Sequence, residues 1–276
     1  MPVRIAVAAV NFGATFPGMM YARLRRHLRA DQSFVECATT STAAVDVARA
    51  RLTRLLDGEP KPIAFIGISV RPDPRSLAAF RAAKVPVVLI DEEAEGATTV
   101  ACDNYLGGVL AAAHLTEQGR RRIAIVVGKL NAEGDMNSAL RLDGFEKALS
   151  EQGLAPVEVI YSIDYSRKDG VTAMTRLLGG RRGVDAIFSA AGDICATGML
   201  AVARERGVRV PEDVAIVGFD DLDVAATSDP PLTTIRQPVD AMADEAFRLA
   251  TEEREELLAR PRRVILKPEL VARQSA

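Results

Sequence analysis

Residues 208–238 read VRVPEDVAIVGFDDLDVAATSDPPLTTIRQP, and the fold class follows from how this run alternates. Gly207 closes a helix and Pro211-Glu212 make a turn. Val214 to Val217 is then a continuous apolar strand, of the kind buried on both faces of a parallel sheet. Gly218-Phe219-Asp220-Asp221 places two carboxylates just past its C-terminal end, the side on which open α/β sheets bind ligands. After a polar loop, Pro230-Pro231 break the chain, Leu232 to Ile235 offer another short strand, and Pro238 suits a first helical position.

Upstream, strands and helices alternate in the same way. Strands are predicted at Val3–Val10, Phe34–Cys37, Ile63–Gly67, Val85–Ile90 and Thr98–Cys102, with helices opening at Pro17, Ala44 and Pro74. Asp103-Asn104 caps a further helix, and a second series follows: strands at Ile123–Val127, Val157–Tyr161 and Val184–Ser189, helices at Leu142–Gln152, Lys168–Leu178 and Asp193–Arg206. This is βαβ alternation, hence mostly parallel sheets with right-handed crossovers, and two series of similar size imply two lobes. The chain ends on an amphipathic helix, Pro238–Ala250, a charged run at Glu252–Glu256 read as a solvated helix face, and a strand at Val264–Leu266. A late helix and strand without βαβ partners of their own must return to earlier sheets.

Composition narrows the function. The 276 residues are 48% hydrophobic and carry net charge −2, which gives no basic footprint for nucleic acid. Cys37, Cys102 and Cys195 are odd in number and lack metal-ligand spacing, as suits small buried residues in a reducing cytoplasm. The N-terminal apolar run is too short for a secretory signal and no stretch approaches a membrane span, so a cytoplasmic protein is expected. There is no G-x-G-x-x-G after the first strand, no phosphate loop and no G-x-S-x-G elbow. His27 and His114 have no partner at metal-ligand spacing and read as packing or capping residues. No catalytic constellation, metal site or cofactor is expected.

What remains is polar and aromatic side chains at strand C-terminal ends: Phe16, Ser69, Arg71, Asp103, Tyr165, Asp193 and Asp220. Each has a plain alternative: a staple for Phe16, caps for Asp103 and Asp193, a surface charge for Arg71. Together they line the side where a cleft would open. Arg141 is read at a helix start, after a loop of small polar residues (131–138), where a guanidinium can fork onto a carboxylate or two hydroxyls. A surface arginine is the equal alternative.

Four stretches resemble the effector-binding core of the LacI/GalR family of bacterial transcription regulators: ACDNYLGGVLAAAHLTEQGRRRIAI (101–125), RLDGF (141–145), VDAIFSAAGDICATGMLAVARERGVRVPEDVAIVGFDD (184–221) and PPLTTIRQP (230–238). Arg120 stands where the family usually has histidine, and before residue 85 only the strand–helix order fits. The resemblance implies a periplasmic-binding-protein-like fold of type I: two Rossmann-like lobes with parallel sheets joined by three crossovers, near Asp103, near Arg236-Gln237 and just after Pro261. One lobe is then 1–102 plus 237–262 and the other 103–236 plus 263–276, the last strand returning to the second lobe. It also implies roles: Arg141 clamps a small-molecule effector in a cleft between the lobes, Asp220 accepts hydrogen bonds from it, Tyr165 stacks on it, and Phe16 and Asp103 approach it. Gly192 stands where sugar-binding relatives often carry asparagine.

Three readings follow. The leading one is the ligand-sensing and dimerisation core of a LacI-type regulator, a homodimer that meets operator DNA only through a helix-turn-helix headpiece not found before Val3. The second is a stand-alone or transport-associated sugar-binding protein, and the third an α/β enzyme. With net charge −2 and no helix-turn-helix pattern, this 276-residue chain is predicted to show no sequence-specific DNA affinity. Salt-sensitive, operator-specific retention in a mobility-shift titration is the result that overturns this.

Overall fold

The computed structural model describes residues 3–9, 12–13, 15–38, 45–128, 136–180 and 183–276. The chain forms two compact units, residues 1–102 with 238–266, and residues 103–237 with 267–276, so it passes between them three times.

The first unit opens with β1 (Val3–Ala9), α1 (Phe16–Arg25), β2 (Gln32–Ala38), α2 (Val45–Arg54), β3 (Phe65–Ile68), α3 (Pro74–Ala82), β4 (Val87–Ile90) and β5 (Thr98–Cys102). The second holds α4 (Asn104–Glu117), β6 (Ile123–Gly128), α5 (Met136–Glu151), β7 (Glu158–Ser162), α6 (Arg167–Gly179), β8 (Ala186–Ser189), α7 (Asp193–Glu205), β9 (Ala215–Asp220), α8 (Asp223–Thr227) and β10 (Thr233–Arg236). The chain then returns to the first unit with α9 (Val239–Glu252), α10 (Arg254–Ala259) and β11 (Arg263–Leu266), and ends in the second with β12 (Glu269–Val271).

The first sheet has the order β11-β5-β4-β3-β1-β2 and every described pairing in it is parallel. The second has the order β12-β10-β9-β8-β6-β7 and is parallel except for β10 against β12. Continuous apolar strands are explained by helices on both faces. In β1, Ile5, Val7 and Ala9 join the core under α1 and α9, whereas Ala6 and Ala8 face the core under α2 and α3. In β6, Ala124 and Val126 pack with α6 and α7, and Ile123, Ile125 and Val127 with α4 and α5.

The expected α/β architecture is present, with four differences. Val264–Leu266 pairs with β5 in the first sheet rather than returning to the second. The strand that does return is the three-residue β12, antiparallel to β10, and Gln237 falls in the second unit. The loop after β9 contains a helical turn, α8. Helix α5 is already formed at Met136, so Arg141 sits in its second turn rather than at its start; residues 131–135 of the preceding loop lie outside the described residues. His27 fits the packing reading: its ring stacks on Phe247 with centroids 5.3 Å apart and its Nε2 lies 2.9 Å from Asp244.

The α4–α5 pair crosses at backbone contact. A Cβ on Gly108 would lie 2.1 Å from the Arg141 carbonyl oxygen, and one on Gly144 would lie 2.0 Å from that of Tyr105. These neighbours are helix backbone and cannot swing aside. Gly108→Ala or Gly144→Ala is therefore expected to destabilise the second unit by about 2–3 kcal/mol through overpacking. Gly179→Ala, with nothing within 4 Å of the new methyl, is expected to be neutral or slightly stabilising. Thermal melts of the three variants check this; equal melting temperatures for all three would show that the crossing is not tight.

Candidate functional site

The polar residues of the second unit gather where β6, β8 and β9 end and α4, α5 and α7 begin. Arg141 is 7% exposed, so its charge needs partners. Its Nε donates to Asn104 Oδ1 at 2.7 Å and its Nη1 to the Ala190 carbonyl at 2.9 Å. The guanidinium carbon lies 3.6 Å from the centroid of the Phe219 ring, a cation–π contact that fixes its plane. Asn104 is itself held, its amide donating to Asn137 Oδ1 at 2.9 Å. The close α4–α5 crossing is what lets the first residue of α4 reach the second turn of α5.

Asp220 ends β9 at φ +104° and is half-buried. Burial raises its pKa, while the Arg141 charge and a 2.7 Å hydrogen bond from Gln237 to Oδ1 work in the opposite direction. Asp221, the next residue, is a different kind of group. Its carboxylate takes Arg236 Nε and Arg273 Nη2, both at 2.6 Å, and so ties β9 to β10 and the C-terminal segment.

Tyr165 lies in the turn after β7 at φ +55°, 40% exposed, with its hydroxyl 3.2 Å from Ser138 Oγ. That hydroxyl lies over Gly128, where a Cβ would come within 1.9 Å of it. The turn is fixed from below by Asp169. Although burial opposes it, the Asp169 carboxylate is held below its usual pKa by bonds from the Asp164 and Ser166 amides and the Ser162 and Ser166 hydroxyls. The Ser162 hydroxyl in turn accepts the Tyr165 amide at 3.0 Å.

Asp193 was expected with the ligand residues, yet both its oxygens are taken inside the protein. It is 0% exposed; Oδ2 accepts the Leu222 amide at 2.8 Å and Oδ1 the Thr234 hydroxyl at 2.6 Å. Asp103 serves as the cap of α4, accepting the Leu106 amide at 2.9 Å. Three expected residues lie in the first unit. Phe16 is a core residue at the start of α1. Ser69 follows β3 at φ +50°, its amide donating to Ile90. Arg71 is engaged with the Glu93 carbonyl and the Glu92 carboxylate. Asn104, Ser138 and Gln237 belong to the second unit's polar group but were not singled out by sequence; Asn104 read only as part of a cap. The described residues contain no group of three or more His, Cys, Asp and Glu able to hold a metal ion, and no helix among them is long and apolar enough to cross a membrane.

Parallel α/β units threaded three times by one chain, with polar side chains at strand C-terminal ends, define a small-molecule-binding class. Residues 112–276 match the periplasmic binding protein-like domain family. The HTH-type transcriptional regulator CelR of Thermobifida fusca is 38% identical over 182 residues, covering 66% of this chain and 52% of that protein. Among solved structures, a complex of the transcriptional regulator CelR with cellobiose has a TM-score of 0.82 at 29% identity, covering 100% of this chain and 86% of that one. A LacI family transcriptional regulator from Enterococcus faecalis with bound ribose has a TM-score of 0.84 at 26% identity, covering 99% of this chain and 98% of that one. The chain belongs to the periplasmic binding protein-like family, in the form carried by LacI-type regulators. It spans about half to three-fifths of the length of the curated relatives it matches.

The buried Asp193 carboxyl yields a test. Burial first, and then the negative charge of Asp220, push its pKa well above the ordinary carboxylate range. The folded state therefore keeps a proton that the unfolded chain has released. The stability from that proton is fully present below the unfolded pKa and is lost as pH rises through the folded one. Asp193→Asn preserves an acceptor for Leu222 and a partner for Thr234 without the charge. It is expected to melt at least as high as the parent near pH ~8, with the advantage vanishing toward pH ~4. Calorimetric melts across that range decide it; a deficit of the same size at every pH would assign Asp193 a purely geometric role.

Proposed function

We propose that this chain is the ligand-sensing and dimerisation part of a LacI-type transcriptional regulator. Its effector is a sugar or similar small molecule, bound by Arg141 and Asp220 with Tyr165 as the apolar wall. The observation that carries the reading is Arg141: a guanidinium is buried, clamped by Asn104 and Ala190 and laid on Phe219, while Nη2 makes no hydrogen bond to any described residue. A fixed donor beside an acceptor, Asp220, suits a ligand carrying groups of both kinds. The sugar class is supported by the cellobiose and ribose in the two structures compared above. Phe16, Ser69, Arg71 and Asp103 complete the ligand surface in this reading, and Asp193 acts through the fold around Asp220. Operator DNA is met through a helix-turn-helix headpiece, and the protein acts in the cytoplasm as a regulator, not an enzyme. A stand-alone or transport-associated binding protein is the second reading; the names borne by the relatives favour the first.

Charge-assisted hydrogen bonds contribute roughly 1.5–3 kcal/mol each. Arg141→Ala is therefore expected to weaken binding of cellobiose or ribose by about one to two powers of ten in calorimetric titration, with the circular dichroism of the folded chain retained. Tyr165→Phe is expected to cost much less than Tyr165→Ala, since the wall needs the ring. Arg141→Ala binding like the parent would mean that the pocket lies elsewhere. Sedimentation at micromolar concentration is expected to show a homodimer, and a monomer alone would count against the dimerisation role.

A further inference from the structure

A cavity of about 650 Å³ opens in the first unit, between α3 and the loop that joins β4 to β5. The residues lining it fall within 71–95, and of the effector residues named above only Arg71 is among them. One wall is a stripe of α3. Pro74, Leu77, Ala78, Arg81 and Ala82 recur at helical spacing, and all but Arg81 are apolar. Pro74, Ala78 and Ala82 are exposed, so the stripe offers apolar surface that the chain itself leaves uncovered. The other wall is residues 93–95, and it is fastened in place. The Glu93 carbonyl accepts Arg71 Nε at 2.8 Å, the Glu93 carboxylate takes Arg263 Nε of β11 at 2.7 Å, and the Glu92 carbonyl accepts the Thr99 hydroxyl at 3.2 Å. Small-molecule sites are usually formed in advance in this way.

Two arginines and two glutamates line the cavity, and their charges sum to zero. Arg71 and Glu93 are engaged in the wall. Arg81 and Glu95 are not: neither side chain makes a hydrogen bond or ion pair with any described residue, so they do not meet each other. The Arg81 guanidinium rests over Gly96, where a Cβ would lie 2.2 Å from Nη2. The missing side chain thus admits the cation beside the loop that carries Glu95.

We propose that this cavity is a second small-molecule site, one that takes a zwitterion with an apolar body: a free amino acid or a short peptide. The ligand carboxylate meets Arg81, which has donors only, and its ammonium meets Glu95, which when ionised has acceptors only. Its apolar side chain lies along Ala78 and Ala82. A net anion is opposed by Glu95 and a net cation by Arg81, so the cavity selects both signs on one molecule. The site stands independently of the effector reading, because Arg81 and Glu95 belong to the first unit and take no part in the group around Arg141.

The test is calorimetric titration of the 276-residue chain with L-phenylalanine, L-leucine and the dipeptide L-leucyl-L-phenylalanine, each up to about 10 mM. The tightest of the three is then titrated as its N-acetyl derivative, which lacks the ammonium, and as its amide, which lacks the carboxylate. The parent is expected to bind at least one zwitterion, and its two derivatives about threefold to tenfold more weakly. Arg81→Gln is expected to weaken the zwitterion by a similar factor and to erase its advantage over the amide. Glu95→Gln is expected to weaken it likewise and to erase its advantage over the N-acetyl form. Both residues are exposed, so neither change threatens the fold. Affinity for cellobiose or ribose is expected to be unchanged in both variants. Tighter binding of the dipeptide names a peptide as the ligand and the reverse names a free amino acid; either supports the proposal. Three results overturn it: no heat from any of the three zwitterions, derivatives bound as tightly as the zwitterion, or both variants binding like the parent. Loss of sugar affinity in either variant with the zwitterion unaffected assigns these charges to the effector and overturns it too.

Discussion

The second unit depends on how closely α4 and α5 approach. Gly108 faces the Arg141 carbonyl and Gly144 faces that of Tyr105, each at a separation that excludes a methyl group. At that separation the helices touch through backbone, and the side chains above the contact meet at hydrogen-bond distance. Asn104 and Arg141 are such a pair, 2.7 Å apart between Oδ1 and Nε. The opposite face of the same sheet repeats the device. A Cβ on Gly170 of α6 would lie 1.8 Å from the Cys195 carbonyl of α7, and one on Gly198 of α7 would lie 2.0 Å from that of Arg167 in α6. Tight helix pairs cover both faces of the sheet, and the polar groups collect at the strand ends.

Three aspartates stand close together there, and their surroundings give them different work. Asp193 is buried with both oxygens engaged, so it fastens the start of α7 to the loop after β9 and to β10. Asp221 is neutralised by Arg236 and Arg273, and Arg236 also reaches Glu269 on β12. Asp220 alone combines a nearby cation with an unengaged oxygen. Burial raises its pKa while Arg141 and Gln237 pull the other way.

Much of the fold was legible in sequence because buried parallel strands announce themselves as short unbroken apolar runs. Ile123–Val127, Val184–Ser189 and Val214–Val217 all fall on observed strands or within two residues of their ends. What was hidden was of two kinds. The three residues of β12 are too few to show a period, and the sheet to which Val264–Leu266 belongs is decided by its partner β5, some 160 residues away, not by its own side chains. In the polar group, Arg141 and Asp220 stood out by position after strands or in a loop, and Asp193 stood out equally. Only tertiary contacts, the Thr234 hydroxyl and the Leu222 amide, separate a fastening carboxylate from an available one. Asn104 was disguised by its place beside a helix cap, and Gln237 by its place in a short strand-end motif.

The backbone at the end of β9 explains how neighbouring carboxylates acquire such different surroundings. Asp220 and Asp221 have φ values of +104° and +56°, a region that side chains other than glycine enter at a cost, of the order of 1–3 kcal/mol per residue. Such a conformation persists only where the surroundings over-determine it. The restraints are side-chain bonds: Gln237 holds Asp220, while Arg236 and Arg273 hold Asp221. Two successive left-handed residues turn the chain out of its strand geometry, so the alternation of side chains along β9 is replaced by a geometry in which each carboxylate meets its own partner. Arg236 and Gln237 are consecutive as well, at the end of β10. The side-chain bonds are crossed with respect to the β9–β10 ladder: its register sets Arg236 opposite Asp220, yet Arg236 bonds Asp221 and Gln237 bonds Asp220. The strain at the strand end is the means by which the C-terminal ends of two neighbouring inner strands supply both an ion pair that closes the unit and a carboxylate left with an acceptor to spare.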